Sequence, residues 1–281
     1  VITAIDNDKT LTDSNKVIKK DENHVGVKVS VPYYELSVKV EPSAAVTDKM
    51  ISEAKGTLTR ERVKALRARY NSLNSEEKGK MKNLAILVEA EQKLANFYSD
   101  VKSEYWYCSA AEFVTLNGLM NGVGGNKFDG NGITTRAQLV TILYRYAGSP
   151  DVSGSTPFTD VKSGEWYADA INWAYANKVV NGVDNTHFGP NDTLTREQLI
   201  TILYRYCKSQ GMDVTGSQSL TGFSDFNRVS KYAEAPMKWG VYAKLISGMP
   251  EGGNMYLQPQ GNATRAQIAT IFMRFMQNIV R

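Results

Sequence analysis

The chain is poor in the residues that most often carry chemistry. Its 281 residues include two cysteines, Cys108 and Cys207, and two histidines, His24 and His187. Two cysteines make neither a disulfide framework nor a thiolate metal site, so each is expected as a single buried thiol. Histidines in separate segments leave no zinc ligand set, and no metal or cofactor is expected. No run approaches the ~20 apolar residues of a spanning helix, so membrane insertion is not expected. Charge of one sign is lacking too: 33 Lys and Arg against 29 Asp and Glu give +4. That balance is too mild and dispersed for nucleic acid or an anionic membrane surface. The glycine signatures of dinucleotide, phosphate and nucleophile-elbow sites are missing. The chain starts at Val1 with no initiator Met and no signal-peptide pattern, which reads as a mature product or an excised piece.

What is present is organised in three parts. In residues 1–43, Val25, Val27, Val29 and Val31, then Leu36, Val38 and Val40, alternate with period two. They predict two short strands with Pro32-Tyr33-Tyr34 at the turn, a β segment packed on the rest or ending a truncated β domain. In residues 44–96, Ile51, Ala54, Leu58, Val63, Leu66, Tyr70 and Leu73, then Met81, Leu84, Leu87, Val88 and Leu94, fall at helical spacing. They predict a two-helix hairpin with one dry face, its second helix starting at Asn74 with Glu77 three residues on. The stretch RARYNSLNSEEKGKMKNL resembles helical-hairpin spacers of bacterial surface proteins, and a solvated spacer is its expected role.

From Phe97 the chain repeats itself three times, over about 97–150, 158–210 and 223–278. Each unit opens on an F-x-D-like start ending at Asp100, Asp160 or Asp225. An aromatic follows at Trp106, Trp166 or Tyr232, then a glycine at Gly122, Gly182 or Gly248. Phe128, Phe188 or Leu257 comes next, and the units close on TRAQ, TREQ and TRAQ. The intervals agree apart from a three-residue insertion after Gly248 in unit three. Each unit reads as helix, loop, helix. The Asp is expected to cap the first helix, and the glycine to stop it with a positive φ. Ala110, Phe113 and Leu116, and Ala170, Trp173 and Val179 or Val180, form its buried side, with Phe128, Phe188 and Leu257 as plugs into the core. Leu139, Ile142, Leu143 and Tyr146, and Leu199, Ile202, Leu203 and Tyr206, do the same for the second helix.

The second helices pose a puzzle. Thr135 with Gln138, Thr195 with Gln198 and Thr264 with Gln267 are capping boxes. Yet Arg136, Arg196 and Arg265 take the first helical position, where the macrodipole disfavours a cation by about 0.3–1 kcal/mol. One explanation is an ion pair to the capping Asp of the same or a neighbouring unit. The other is an anion site, where helix N–H groups and a bidentate guanidinium converge. Physics alone leaves the two level.

The units resemble S-layer homology motifs, the wall-anchoring repeats of bacterial surface proteins, over residues 97–275. The F-x-D start, the following aromatic, the glycine, F-x-P and T-R-x-Q carry the resemblance, in order and three times. It implies a pseudo-threefold helical assembly with grooves between units, which holds proteins to an acidic, pyruvylated secondary cell-wall polysaccharide. The resemblance carries the ligand-binding roles to Arg136, Arg196, Arg265, Asp100, Asp160, Asp225, Trp106, Trp166, Gly122, Gly182 and Gly248. It also implies an extracellular location in the wall or surface layer, with self-assembly on the cell surface as an alternative role. Three departures are Gln for the usual Glu in the fourth motif position, Gly130 for the proline found at Pro190 and Pro259, and Tyr232 for Trp. With its longer loop, unit three is where groove function is most in question.

Other chemistry has little support. DGNG at 129–132 has part of a calcium-loop pattern but no Glu at the twelfth position, and reads as a turn. Glu165, Asp169 and Asp184 could pair for glycoside hydrolysis, but the helices account for them as surface charges. The expectation is a mainly α, non-enzymatic anchor; its rivals are a lattice protein and the anchor portion of a larger extracellular enzyme.

Overall fold

The computed structural model describes residues 16–20, 24–28, 35–39 and 43–280, which fall into two compact units. Residues 1–55 and 61–91 make the first, and 56–60 with 92–281 the second. The first contains an antiparallel sheet of β1 (Lys16–Lys20), β2 (His24–Lys28) and β3 (Glu35–Lys39), in that order. Val25 pairs with Val38 and Val27 with Leu36, so the two valine-rich stretches do form neighbouring strands. A third strand, KVIKK, precedes them; its lysines hide the alternation from the sequence. Val29, Val31, Val40 and Pro32-Tyr33-Tyr34 lie outside the described residues.

Residues 44–96 are more divided than a two-helix hairpin. They form α1 (Ala44–Glu53), α2 (Arg60–Asn71), α3 (Ser75–Gly79) and α4 (Leu84–Ala95). Asn74 accepts from Glu77 N at 2.9 Å as expected, but the helix it caps lasts little more than one turn. The carboxylate of Asp48 starts the longer one, accepting from Lys82 N at 2.9 Å and Asn83 N at 2.7 Å.

The second unit holds the repeats. Its helices are α5 (Cys108–Leu116), α6 (Arg136–Tyr146), α7 (Ala168–Ala176), α8 (Arg196–Ser209), α9 (Glu234–Tyr242) and α10 (Arg265–Asn278). A hairpin of β4 (Met249–Glu251) and β5 (Asn254–Tyr256) occupies the insertion in unit three. The expected core residues are buried except Tyr146, which is half-buried, and Phe128, Phe188 and Leu257 are fully enclosed. Cys108 and Cys207 are free thiols, and burial pushes Cys207 up to about 12.

The glycines do not stop the first helices. Those stops fall earlier, at Gly118, Lys178 and Lys244, which take the left-handed conformation. Leu119 N then donates to Val114 O at 2.9 Å, Val179 N to Ala174 O at 2.8 Å and Leu245 N to Gly240 O at 2.9 Å, the six-to-one bond of a Schellman turn. The Asn-Gly pair in units one and two, and Ser-Gly in unit three, come afterwards, in the chain that lines the grooves.

The three units close on one another cyclically. Helix α6 of unit one packs on α7 of unit two, α8 on α9 of unit three, and α10 back on α5. Just before the capping threonines, Thr134 N donates to Ala263 O, Ala263 N to Leu194 O and Leu194 N to Thr134 O, at 2.7–3.1 Å, a closed triangle of backbone bonds. Towards the far ends of the second helices, Tyr146, Tyr206 and Phe275 meet edge to face, with centroids 5.4–6.3 Å apart. Such pairs add about 0.5–1.5 kcal/mol each beyond their burial.

A short strap from upstream belongs to this unit. The amide of Asn117 accepts from Leu58 N at 2.9 Å and donates to Leu58 O at 3.0 Å. Arg60 pairs with the largely buried carboxylate of Glu112 on α5.

Candidate functional site

Each motif arginine sits where one unit meets the next. The capping boxes form in all three units, the threonine hydroxyl taking the N–H of the glutamine three residues on. The two preceding helix N–H groups reach across the interface. Arg136 N donates to Asp192 O and Ala137 N to Pro190 O. Arg196 N and Glu197 N bond Gly261 O and Pro259 O, and Arg265 N and Ala266 N bond Gly132 O and Gly130 O. The helix starts are thereby saturated by the neighbouring unit and leave no free N–H cluster for an anion.

The guanidinium groups follow the same direction. Arg136 Nε donates to Phe188 O at 2.9 Å, Arg196 Nε to Leu257 O at 2.8 Å and Arg265 Nε to Phe128 O at 2.8 Å. Arg136 and Arg196 are only 7% and 6% exposed, and none of the three makes an ion pair among the described residues. Of the two explanations offered for these cations, the ion pair to Asp is not what forms. Each guanidinium instead donates to backbone carbonyls of the neighbouring unit, two for Arg136 and Arg265 and one for Arg196, which offsets the conflict with the helix dipole. Burial draws all three pKa values below the usual arginine value, with nearby carboxylates such as Asp192 and Asp225 working against that shift. The groups stay cationic, and a buried cation without a paired carboxylate favours an anion beside it.

Asp100, Asp160 and Asp225 do not cap helices either; α5, α7 and α9 start without a side-chain cap. Each carboxylate instead clamps the loop that follows. Asp100 accepts from Phe128 N and Asp129 N, Asp160 from Phe188 N and Gly189 N, and Asp225 from Leu257 N and Gln258 N, all at 2.8 Å. The plug residue's peptide is therefore held from both sides, its N–H by the Asp of its own unit and its C=O by the Arg of the preceding one.

Two grooves open at these interfaces, each built from three units. The first, about 420 Å³, brings together Arg136 of unit one, Gly182, Val183 and Arg205 of unit two, and Tyr232 of unit three. The second, about 400 Å³, brings together Arg196 of unit two, Gly248, Met249 and Arg274 of unit three, and Trp106 of unit one. Each is lined by two arginines, and no Asp or Glu lines either one. At the third interface the corresponding positions are Arg265, Gly122, Arg145 and Trp166. Trp106 and Trp166 stand 67% and 60% exposed, an unusual state for tryptophan that packing does not explain. Tyr232, half exposed, is anchored through its hydroxyl to Glu197 Oε1 at 2.9 Å.

The glycines shape the groove walls. A Cβ on Gly182 would lie 2.2 Å from Asp184 O and 2.4 Å from His187 O, so no side chain fits. Gly248 has φ +77°, and a Cβ there would strike the Phe223 ring at 2.6 Å. Sequence reasoning missed Arg145, Arg205 and Arg274, the second cation of each site. They follow the motif arginines at one fixed interval on the face shared with Gln138, Gln198 and Gln267, and that recurrence was the available signal. DGNG at 129–132 serves Asp100 and Arg265 as loop backbone, and among the described residues no three His, Cys, Asp or Glu side chains gather as a metal site. No described helix is long and apolar enough to cross a membrane.

Interlocked helix–loop–helix units with cationic grooves between them define a closed three-repeat module. Residues 97–140, 157–200 and 222–269 each match the model of the S-layer homology domain, and through these three domains the chain belongs to that family. Such domains mediate cell-wall anchoring, which places the chain at the bacterial cell surface. The repeat region is 29% identical over 180 residues to an amylopullulanase of Thermoanaerobacterium thermosulfurigenes, covering 64% of this chain and 9% of that protein. It is 26% identical over 180 residues to exoglucanase XynX of Acetivibrio thermocellus, 64% of this chain and 16% of that one. A surface-layer 125 kDa protein of Lysinibacillus sphaericus is 30% identical over 162 residues, 58% of this chain and 13% of that one. The chain thus spans less than a fifth of the length of these relatives.

Proposed function

We propose that the grooves bind an acidic, pyruvylated secondary cell-wall polysaccharide, and that the chain is the wall-anchoring portion of a longer surface protein. One observation carries this reading: each groove presents two guanidinium groups and no carboxylate, beside an aromatic side chain contributed by a third unit. A ketal carboxylate matches the arginine fork, and a pyranose face matches an exposed indole, apolar in body and polar at its N–H. The grooves are open to solvent, as suits a polymer passing through them. Nothing in them pairs a nucleophile with a base, so binding without turnover is the chemistry they support. Relatives named as an amylopullulanase and an exoglucanase, of which this chain matches 9% and 16%, supply the precedent for a separate cargo.

Co-sedimentation with purified wall sacculi tests the reading, comparing walls before and after removal of the pyruvyl substituent. Loss of at least nine-tenths of the bound protein is expected on removal, and from intact walls when Trp106→Ala is combined with Arg205→Ala and Arg274→Ala. Equal binding to both kinds of wall rejects an acidic ligand.

A further inference from the structure

We infer that the groove walled by the unit-three hairpin is the principal carboxylate site, because the hairpin leaves Arg196 uncommitted; this rests on the acidic-polysaccharide reading above. At two interfaces the motif arginine is held twice over. Arg136 Nη2 donates to Asn181 O at 3.0 Å and Arg265 Nη2 to Asn121 O at 2.7 Å, in addition to their Nε bonds. Each also lies over the ring of the plug whose carbonyl it binds, Arg136 at 4.5 Å from Phe188 and Arg265 at 4.9 Å from Phe128. Arg196 has neither restraint. Among the described residues its side chain makes one hydrogen bond, Nε to Leu257 O, and its terminal nitrogens have no partner.

Two local changes in unit three cause this. Leucine replaces phenylalanine as the plug, so no ring lies under the guanidinium. Gly248 takes a positive φ where Gly122 and Gly182 do not, sending the chain into β4 and β5, and Ser247 O receives no bond from Arg196. Arg196 is 94% buried in consequence of its surroundings, 6% exposed, and it lines the groove. A ligand carboxylate can therefore bond both terminal nitrogens, Nη1 and Nη2, in a guanidinium that is free to turn about its single Nε bond. At Arg136 and Arg265 one Nη2 N–H is already committed to a backbone carbonyl, and that bond fixes the plane of the guanidinium. The same hairpin gives this groove an apolar wall, Met249 and Pro250, against which the methyl of a pyruvate ketal fits. The insertion that sets unit three apart is thus a specificity element.

The exposed tryptophans report two of the interfaces separately. Indole N–H signals of the ¹⁵N-labelled chain would be followed while titrating a methyl hexoside that carries a pyruvate ketal. The signals of Trp173 and Trp239, both buried, serve as controls. Trp106 is expected to reach half-saturation at a concentration at least tenfold lower than Trp166. A graft of Val183–His187 in place of Met249–Tyr256, with Leu257→Phe, is expected to bring the two midpoints within about threefold. Trp166 responding first, both responding together in the unaltered chain, or neither responding overturns the assignment. Failure of the underlying reading looks different: the protein then no longer distinguishes walls with and without the ketal, whereas a wrong ranking of grooves leaves that distinction intact.

Discussion

Arg136→Ala is expected to destabilise the repeat module by about 3 kcal/mol, before any ligand is considered. The substitution removes two charge-assisted bonds to Phe188 O and Asn181 O and the stacking on the Phe188 ring. Hydrogen bonds from a charged donor contribute about 1.5–3 kcal/mol each, less what water recovers at the opened site. For a unit of this size that corresponds to a fall in melting temperature of roughly 6–12 °C, readable by circular dichroism. Arg136→Lys is expected to recover little, since an ammonium cannot present two donors in one plane. A melting temperature within a degree of the unaltered chain would show that the arginine does not staple the units. Loss of wall binding in this variant alone would say nothing about ligand contact, which is why the binding tests use Trp106, Arg205 and Arg274.

Asp160→Ala is the second large effect, again about 3 kcal/mol, because the Phe188 and Gly189 N–H groups lose their shared acceptor inside the loop. Asp160→Asn keeps one acceptor oxygen and is expected to lose about half as much. The two residues grip one peptide, Asp160 at its N–H and Arg136 at its C=O, so their losses should not add. Once either is gone the loop is loose and the other has less to hold. A double-mutant cycle is expected to give a coupling of at least about 1 kcal/mol. Strict additivity would mean that the two contacts act independently.

Much of the module was legible because its signals are local. Threonine three residues before glutamine fixed the second helices at Thr135, Thr195 and Thr264, and period-3.6 apolar residues fixed what they bury. The plugs could be picked out as lone large residues after glycine-bearing loops. What remained hidden is relational. Asp160 was read as a helix cap because an Asp ahead of a helix usually is one; only the fold shows that its acceptors are filled by a loop further along the chain. The helix stops at Lys178 and Lys244 carry no sequence mark, since lysine in the left-handed conformation is held there by the Schellman bonds around it. Arg205 and Arg274 were not singled out, although their recurrence was visible. Which unit grips which, and that the last returns to the first, lies beyond any pattern within a single repeat.

That closure has a bearing on survival outside the cell. The connections between units run through largely exposed stretches at Asp151–Gly154 and Ser217–Ser219, within reach of secreted proteases. Since every unit is fastened to both neighbours, one cut there severs the polypeptide without parting the pieces. A nicked molecule should remain assembled and anchored to the wall, migrating as fragments only after denaturation.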